Sequence, residues 1–207
     1  MGEKIPSTWT WVRLAQVANP RGVTVNPQSS PEIAFRYIEL DDIEKDTGKI
    51  GYIEDTLGKD IGSTKLVFEA GDILYGKLRP YLKKFTIAPF SGVSVTDLIP
   101  LKCSQAIFNK YLLNFFFSTF HSHHIAPLMS GINLPRLRSE DIKNIPLPLP
   151  PLNEQRRIAD RIDALQARSR RAREALTEAQ TLLEQFRQSV LSAAFSGGLT
   201  AKWREEH

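Results

Sequence analysis

Cysteine is almost absent from this chain. Its 207 residues contain one, Cys103, which excludes an internal disulfide framework and suits a reducing compartment, the cytoplasm. Long apolar runs are missing too. The longest, around Leu112 to Phe117, falls far short of the ~20 residues that cross a bilayer, so no membrane partner is expected. Met1 is followed by Gly2-Glu3-Lys4 and not by an apolar stretch, so no secretory signal is expected. There is no glycine-rich phosphate loop, no G-x-S-x-G elbow and no Asn-Pro-Pro-aromatic motif, and Asp42 with Glu44-Lys45 falls in a loop without the strand a nuclease set needs. Metal ligands are sparse: His121 and His123 stand two apart and do not share a helix face, and no cysteine or carboxylate flanks them or His124. Nothing marks a base for Cys103. The expectation is a chain with no catalytic residue, no metal and no cofactor of its own.

What is present is ordinary in amount and uneven in place. Hydrophobic content of 42% and charged content of 24% are those of a globular protein with a core plus an extension. Net charge is only +4, but positions 33–60 hold eight acids against four bases and 65–84 hold five bases against two acids. Positions 156–173 hold seven arginines (156, 157, 161, 168, 170, 171, 173) against two aspartates. Such basic stripes suit an anionic partner, and a solvated helix face also looks like this.

The chain is organised around 146–194. Pro146, Pro148, Pro150 and Pro151 cannot continue a helix or feed a central sheet ladder, so they predict a stiff, extended lead-in. Asn153 is the expected N-cap, with Glu154 in the first turn. No Pro or Gly follows until Gly197-Gly198, which stop the helix. Ile158, Ile162, Leu165, Ser169, Ala172, Leu176, Ala179, Leu183, Phe186, Val190 and Ala193 recur at alternating steps of four and three, a heptad seam. A helix over 154–195 is ~63 Å long at ~1.5 Å per residue. The chain has no second long helix, so its seam is expected to meet one from a second copy or another chain; packing on its own domain is the alternative.

Residues 1–150 read as one mixed α/β domain, 151–196 as the long helix and 197–207 as a tail. Trp9 and Trp11 are expected to anchor the first packing layer. Strands are predicted at 33–40, 49–53, 66–68, 73–75, 85–88 and 93–101, with Arg36 on the face opposite Phe35 and Tyr37. One helix is predicted over 108–120, closed by His121, His123 and His124 as imidazolium at its C-terminus, and a short helical turn at 139–141. Gly76 to Lys84 is a predicted loop with four cations and a tyrosine.

Several segments, in this order, resemble the specificity subunit of type I restriction-modification systems. They are I-P-S-T-W, Y-I-E-L-D-D-I, G-D-I-L-Y-G-K-L-R-P, S-G-I-N-L-P-R-L, I-P-L-P-L-P-P-L-N-E-Q-R-R-I and the closing A-A-F-S-G-G-L-T-A-K-W-R. The family's usual chain has two target-recognition domains, each followed by a long helix, whereas this one has one of each. It therefore resembles the N-terminal half, as a truncation or a naturally short subunit. The resemblance implies an α/β (α+β) target-recognition domain followed by one long helix that forms an antiparallel coiled coil. It implies a non-catalytic reader of double-stranded DNA that docks adenine methyltransferase subunits and, in the full complex, a motor-nuclease subunit. S-adenosylmethionine, ATP and Mg2+ then belong to those partners. If two copies pair antiparallel, symmetry makes the target a palindrome of two half-sites, with a separation below roughly 18 bp. A self-contained methyltransferase or nuclease, and a coiled-coil scaffold whose head binds protein, are the rival readings.

DNA reading needs cations for phosphates and planar donors for base edges. Lys77, Arg79, Lys83 and Lys84 with Tyr81 (and Tyr75 nearby) are the first-choice contacts, followed by Arg36 and Tyr37 on the early strand and by Asn133, Arg136 and Arg138 in the late loop. A charged, solvated turn accounts for the first group equally simply, and turn chemistry around Gly131 and Leu134-Pro135 for the last. The expected coiled-coil contacts are Ile158, Ile162, Leu165, Ala172, Leu176, Ala179, Leu183, Phe186 and Val190.

Overall fold

A computed structural model of the protein describes residues 5–207, so the expected start at Met1 lies outside the described residues. In chain order the strands are β1 (Thr10–Arg13), β2 (Ala18–Pro20), β3 (Thr24–Val25), β4 (Ala34–Ile38), β5 (Asp55–Leu57), β6 (Lys65–Phe68), β7 (Ile73–Gly76), β8 (Phe85–Ile87), β9 (Gly92–Ser94), β10 (Leu98–Cys103) and β11 (Pro146–Leu149). The helices are α1 (Asn109–Phe117), α2 (Thr119–Ile125), α3 (Ser139–Lys143), α4 (Leu152–Phe195) and α5 (Ala201–Glu206). The chain forms two compact units that divide between Ala159 and Asp160.

In the first unit a four-stranded sheet runs β2-β10-β7-β8 and a five-stranded sheet runs β3-β6-β9-β4-β5, with β4 and β9 parallel and the other pairs antiparallel. Strand alternation explains why β7 is buried on both faces. Ile73 and Tyr75 point into a large cluster with Phe85, Leu112 and Phe116, while Leu74 points into a second with Ile38, Phe68 and Leu98. On β10, Leu98 joins the second cluster and Ile99 and Leu101 the first. These two strands are the wall between two cores.

The proline lead-in is β11, an edge strand that pairs antiparallel with β1, Trp11 facing Pro148. That is the place in a sheet where missing N–H groups are tolerated. The two indoles differ from the fully buried core, which begins at Leu14 and Val17: Trp9 is half-buried, and Trp11 is 39% exposed and stacks obliquely on Phe120. The predicted strand at 49–53 is reduced to an isolated bridge between Ile43 and Ile50, because Gly48 at φ +67° turns the chain just before it. The helix predicted over 108–120 is two. Ser118 adopts an extended conformation (φ −68°, ψ 156°) and its Oγ caps α2 by accepting from the His121 N–H at 3.2 Å.

That break turns His121 inward, opposite to the imidazolium role expected of it. It is fully buried among Tyr75, Phe85 and Phe116, with Nε2 3.0 Å from the Tyr75 hydroxyl. Burial lowers its pKa to about 3, so it is neutral. Burial also pushes the Cys103 thiol up to about 12, with Asp72 adding to the effect.

The long helix begins at Leu152, ahead of the expected cap at Asn153, and the Pro151 carbonyl accepts from the N–H groups of Glu154 and Gln155. The reason is Gln155. It is completely buried: Oε1 accepts from the Phe108 N–H at 2.7 Å, and Nε2 donates to the carbonyls of Ala106 (3.0 Å) and Pro150 (2.9 Å). With Ala159 also buried and Ile158 packed on the large cluster, the first two turns belong to the globular unit. The compact boundary is therefore nine residues beyond the 150/151 division expected from the prolines.

In the second unit α4 ends at Phe195, and Gly197 takes φ +78°, the left-handed turn that only glycine adopts freely. Arg204 of α5 closes this end, donating to the Gly197 carbonyl at 2.7 Å and to Thr200 Oγ1 at 2.7 Å. At 44 residues, α4 is ~66 Å long. Among its seam residues Leu165, Leu176, Leu183 and Phe186 are 50–69% exposed, Val190 38%, and Ala172 and Ala179 are exposed; Ile158 and Ile162 are half-buried. All seven arginines between 156 and 173 are exposed. No helix among the described residues is long and apolar enough to cross a membrane, and no group of three potential metal ligands occurs among them.

Candidate nucleic-acid interface

The loop after β7 and the loop before α3 are far apart in sequence and form one surface. The Arg79 N–H donates to the Pro135 carbonyl at 2.7 Å, the Leu137 N–H donates to the Lys77 carbonyl at 3.0 Å, and Leu78 bridges Arg136. Asp97, in the turn before β10, joins both: Arg136 donates to its Oδ2 at 2.9 Å, Lys77 Nζ lies 3.8 Å from Oδ1, and its carbonyl accepts from the Lys77 N–H at 2.9 Å. Sequence reasoning missed Asp97 because 93–101 reads as one strand, whereas the structure breaks it at Val95-Thr96-Asp97, between β9 and β10. Its carboxylate fixes the two cations that come from different loops.

The first-choice and late-loop candidates thus converge. Arg79, Tyr81, Asn133 and Arg138 are exposed, Arg136 is half-exposed, and Lys77 lies lower beside Asp97. Arg79 holds φ +48° and Lys83 φ +49°, a left-handed conformation that costs a non-glycine residue roughly 1–2 kcal/mol. The loop pairing and the short 3-10 turn at Pro80–Leu82 hold that geometry.

Lys83 and Lys84 do something else. Lys83 Nζ donates to the Phe117 carbonyl at 3.0 Å, and Lys84 Nζ to the Leu40 carbonyl at 2.8 Å and to Asp41 at 2.9 Å. Both are internal posts that fasten the loop's return to the body. Arg36 and Tyr37 lie on another sheet. The Arg36 guanidinium stands over Phe90 and 3.6 Å from Asp55, and the Tyr37 hydroxyl donates to Glu39. Burial and then Glu39 raise the Tyr37 pKa. Tyr37 lines a recess with Glu39, Asp42 and Glu54, carboxylates that repel phosphate.

The Type I restriction modification DNA specificity domain family matches residues 6–178. The chain belongs to that family. It is 32% identical, over 98% of its length, to the type I restriction enzyme EcoDI specificity subunit of Escherichia coli, of which it covers 45%. Its fold matches the crystal structure of the HsdS subunit from Thermoanaerobacter tengcongensis with a TM-score of 0.78 at 30% identity, over 86% of this chain and 47% of that one. A chain from a study of complex assembly and conformational transition of the type I R-M system matches with a TM-score of 0.82, also at 30% identity, over 93% and 51%. The chain therefore spans about half the length of these relatives, with one α+β domain and one long helix.

Within this family's domain, Gln155 gives the N-E-Q-R-R-I junction a physical reason. A glutamine at that position can satisfy a donor and two acceptors at once, locking the helix start to the end of β11 and to the start of α1.

Proposed function

We propose that this chain is a non-catalytic DNA-specificity half-subunit of a type I restriction-modification enzyme. Its globular domain reads one half of a bipartite target, and α4 pairs antiparallel with a second copy or with the matching helix of the missing half. The paired helices recruit the adenine methyltransferase subunits, and the full complex adds the motor-nuclease subunit; S-adenosylmethionine, ATP and Mg2+ serve those partners. The observation that carries the DNA-reading role is the convergence of Lys77, Arg79, Tyr81, Asn133, Arg136 and Arg138 on two loops tied through Asp97. Cations for phosphates, and arginine and asparagine for base edges, stand there on a braced frame. The exposed seam of α4 supports the pairing role, since leucines and a phenylalanine at heptad spacing are covered in a coiled coil.

The test is to express the chain with its neighbouring methyltransferase and map methylated adenines genome-wide. One bipartite motif, methylated only when both proteins are present, is the expected result. No sequence-specific methylation or protection with the cognate methyltransferase present would make the chain a protein-binding scaffold. Modification or cleavage by the purified chain alone would make it part of an enzyme.

A further inference from the structure

Ile132 is 99% exposed and Leu134, two residues on, is 52% exposed, with exposed Asn133 between them. Their loop is not slack. The Ser130 and Arg136 main chains bond each other reciprocally, at 3.0 and 2.9 Å, and close a five-residue tip over 131–135. Gly131 sits at φ +100°, and a Cβ there would lie 2.9 Å from the Leu134 carbonyl oxygen, so the turn is tight. Below the tip, the Arg79 N–H holds Pro135, Asp97 holds Arg136, and Leu137 is buried. A braced tip thus carries an aliphatic side chain and an amide into solvent, with Arg79, Arg136 and Arg138 around its base.

This inference rests on the DNA-reading role proposed above and names one contact within it. Base edges offer one apolar group, the thymine 5-methyl, and it lies in the major groove; the adenine paired with it presents N6–H and N7, which an asparagine amide matches with two hydrogen bonds. We propose that the 131–135 tip enters the major groove and reads an A·T pair, Ile132 packing on the thymine methyl and Asn133 bonding the adenine edge. The arginines at the base of the tip then lie at the level of the phosphates, where their charge complements the backbone.

The test uses the full chain with its methyltransferase and a duplex carrying the methylated motif, in which each thymine is replaced in turn by deoxyuridine. Affinity is read by fluorescence anisotropy. One replacement should weaken binding roughly fourfold, which is ~0.8 kcal/mol for a methyl-sized group at 1.4 kcal/mol per tenfold. Ile132→Ala should weaken binding to the thymine duplex by a similar factor and become indifferent to that replacement. Asn133→Ala should become indifferent to 7-deazaadenine opposite the same position. Specific binding that ignores every deoxyuridine replacement overturns the tip assignment and leaves the DNA-reading role standing. An Ile132-dependent rise in 2-aminopurine fluorescence, without any methyl response, also overturns it, since it reports insertion between bases. Absence of any sequence-specific binding overturns the DNA-reading role itself.

Discussion

Replacing Gln155 by alanine should destabilise the globular unit by about 4 kcal/mol. The side chain is fully buried and satisfies three main-chain groups: the Phe108 N–H and the carbonyls of Ala106 and Pro150. Each buried polar group left unpaired costs ~1–3 kcal/mol, and water entering the vacated space offsets part of the sum, which leaves roughly 3–5 kcal/mol. Gln155→Met separates bonding from packing. It keeps the volume and loses all three bonds, so it should fall within ~1 kcal/mol of the alanine variant. Gln155→Glu keeps an acceptor for Phe108 and sets an anion against two carbonyls. Urea titration of the full chain, followed by far-UV circular dichroism, should show the midpoint falling with the slope m unchanged. In a thermal scan the transition should drop by roughly 8–16 °C for a domain of this size. A Gln155→Met protein within ~0.5 kcal/mol of wild type would refute the reasoning, because the amide would then be neutral at that site.

Lys77→Ala with Arg79→Ala should abolish sequence-specific DNA binding, lower the salt slope of residual binding by ~1 for each phosphate that these cations neutralise, and leave the oligomeric state by light scattering unchanged; unaltered specificity removes both from the reading surface. Leu176→Glu with Leu183→Glu, at positions 62% and 69% exposed, should change folding stability by less than ~0.5 kcal/mol each yet abolish helix pairing in sedimentation velocity, and persistent pairing would place the seam elsewhere. The His121 pKa is about 3 when folded, against 6.5 for the ordinary side chain, so as pH falls the unfolded chain takes up this proton first. Its contribution is intact above pH 6.5 and is lost toward pH 3 at ~1.4 kcal/mol per unit, about 2 kcal/mol by pH 5; His121→Phe should flatten that part of the curve in urea titrations at stepped pH.

The legible part of the fold was the part governed by local rules. The heptad steps from Ile158 onward, the absence of Pro and Gly, and Gly197 after them define α4 with no tertiary information. The apolar run Ile73-Leu74-Tyr75 after the Ala70-Gly71-Asp72 turn likewise marks β7. Misreadings arose where a distant contact decides. Within the run from Phe108 to Phe120 the sole local signal is the capping residue Ser118, which is weak by itself, and the break it makes leaves His121 buried against Tyr75. Asn153 is the better cap by residue type, yet the helix starts at Leu152, two residues earlier than that cap predicts, where the buried amide of Gln155 is bonded to the globular unit. At the interface, residue chemistry picked out both cationic loops. Only the structure joins them through Asp97, assigns Lys83 and Lys84 to carbonyls, and separates Arg36 and Tyr37. Ile132 was invisible because a lone isoleucine in a loop carries no signal until its exposure is known.

The reciprocal bonds between Ser130 and Arg136 use main-chain groups alone, so the closure is blind to the side chains at 132, 133 and 134. Drift at these three positions leaves both hydrophobic clusters and the Asp97 brace untouched. The recognised sequence is thereby uncoupled from folding, and inherited variation can rewrite it one residue at a time without passing through a misfolded intermediate. A library randomised at those positions alone should express and melt like its parent while diverging in the DNA it selects.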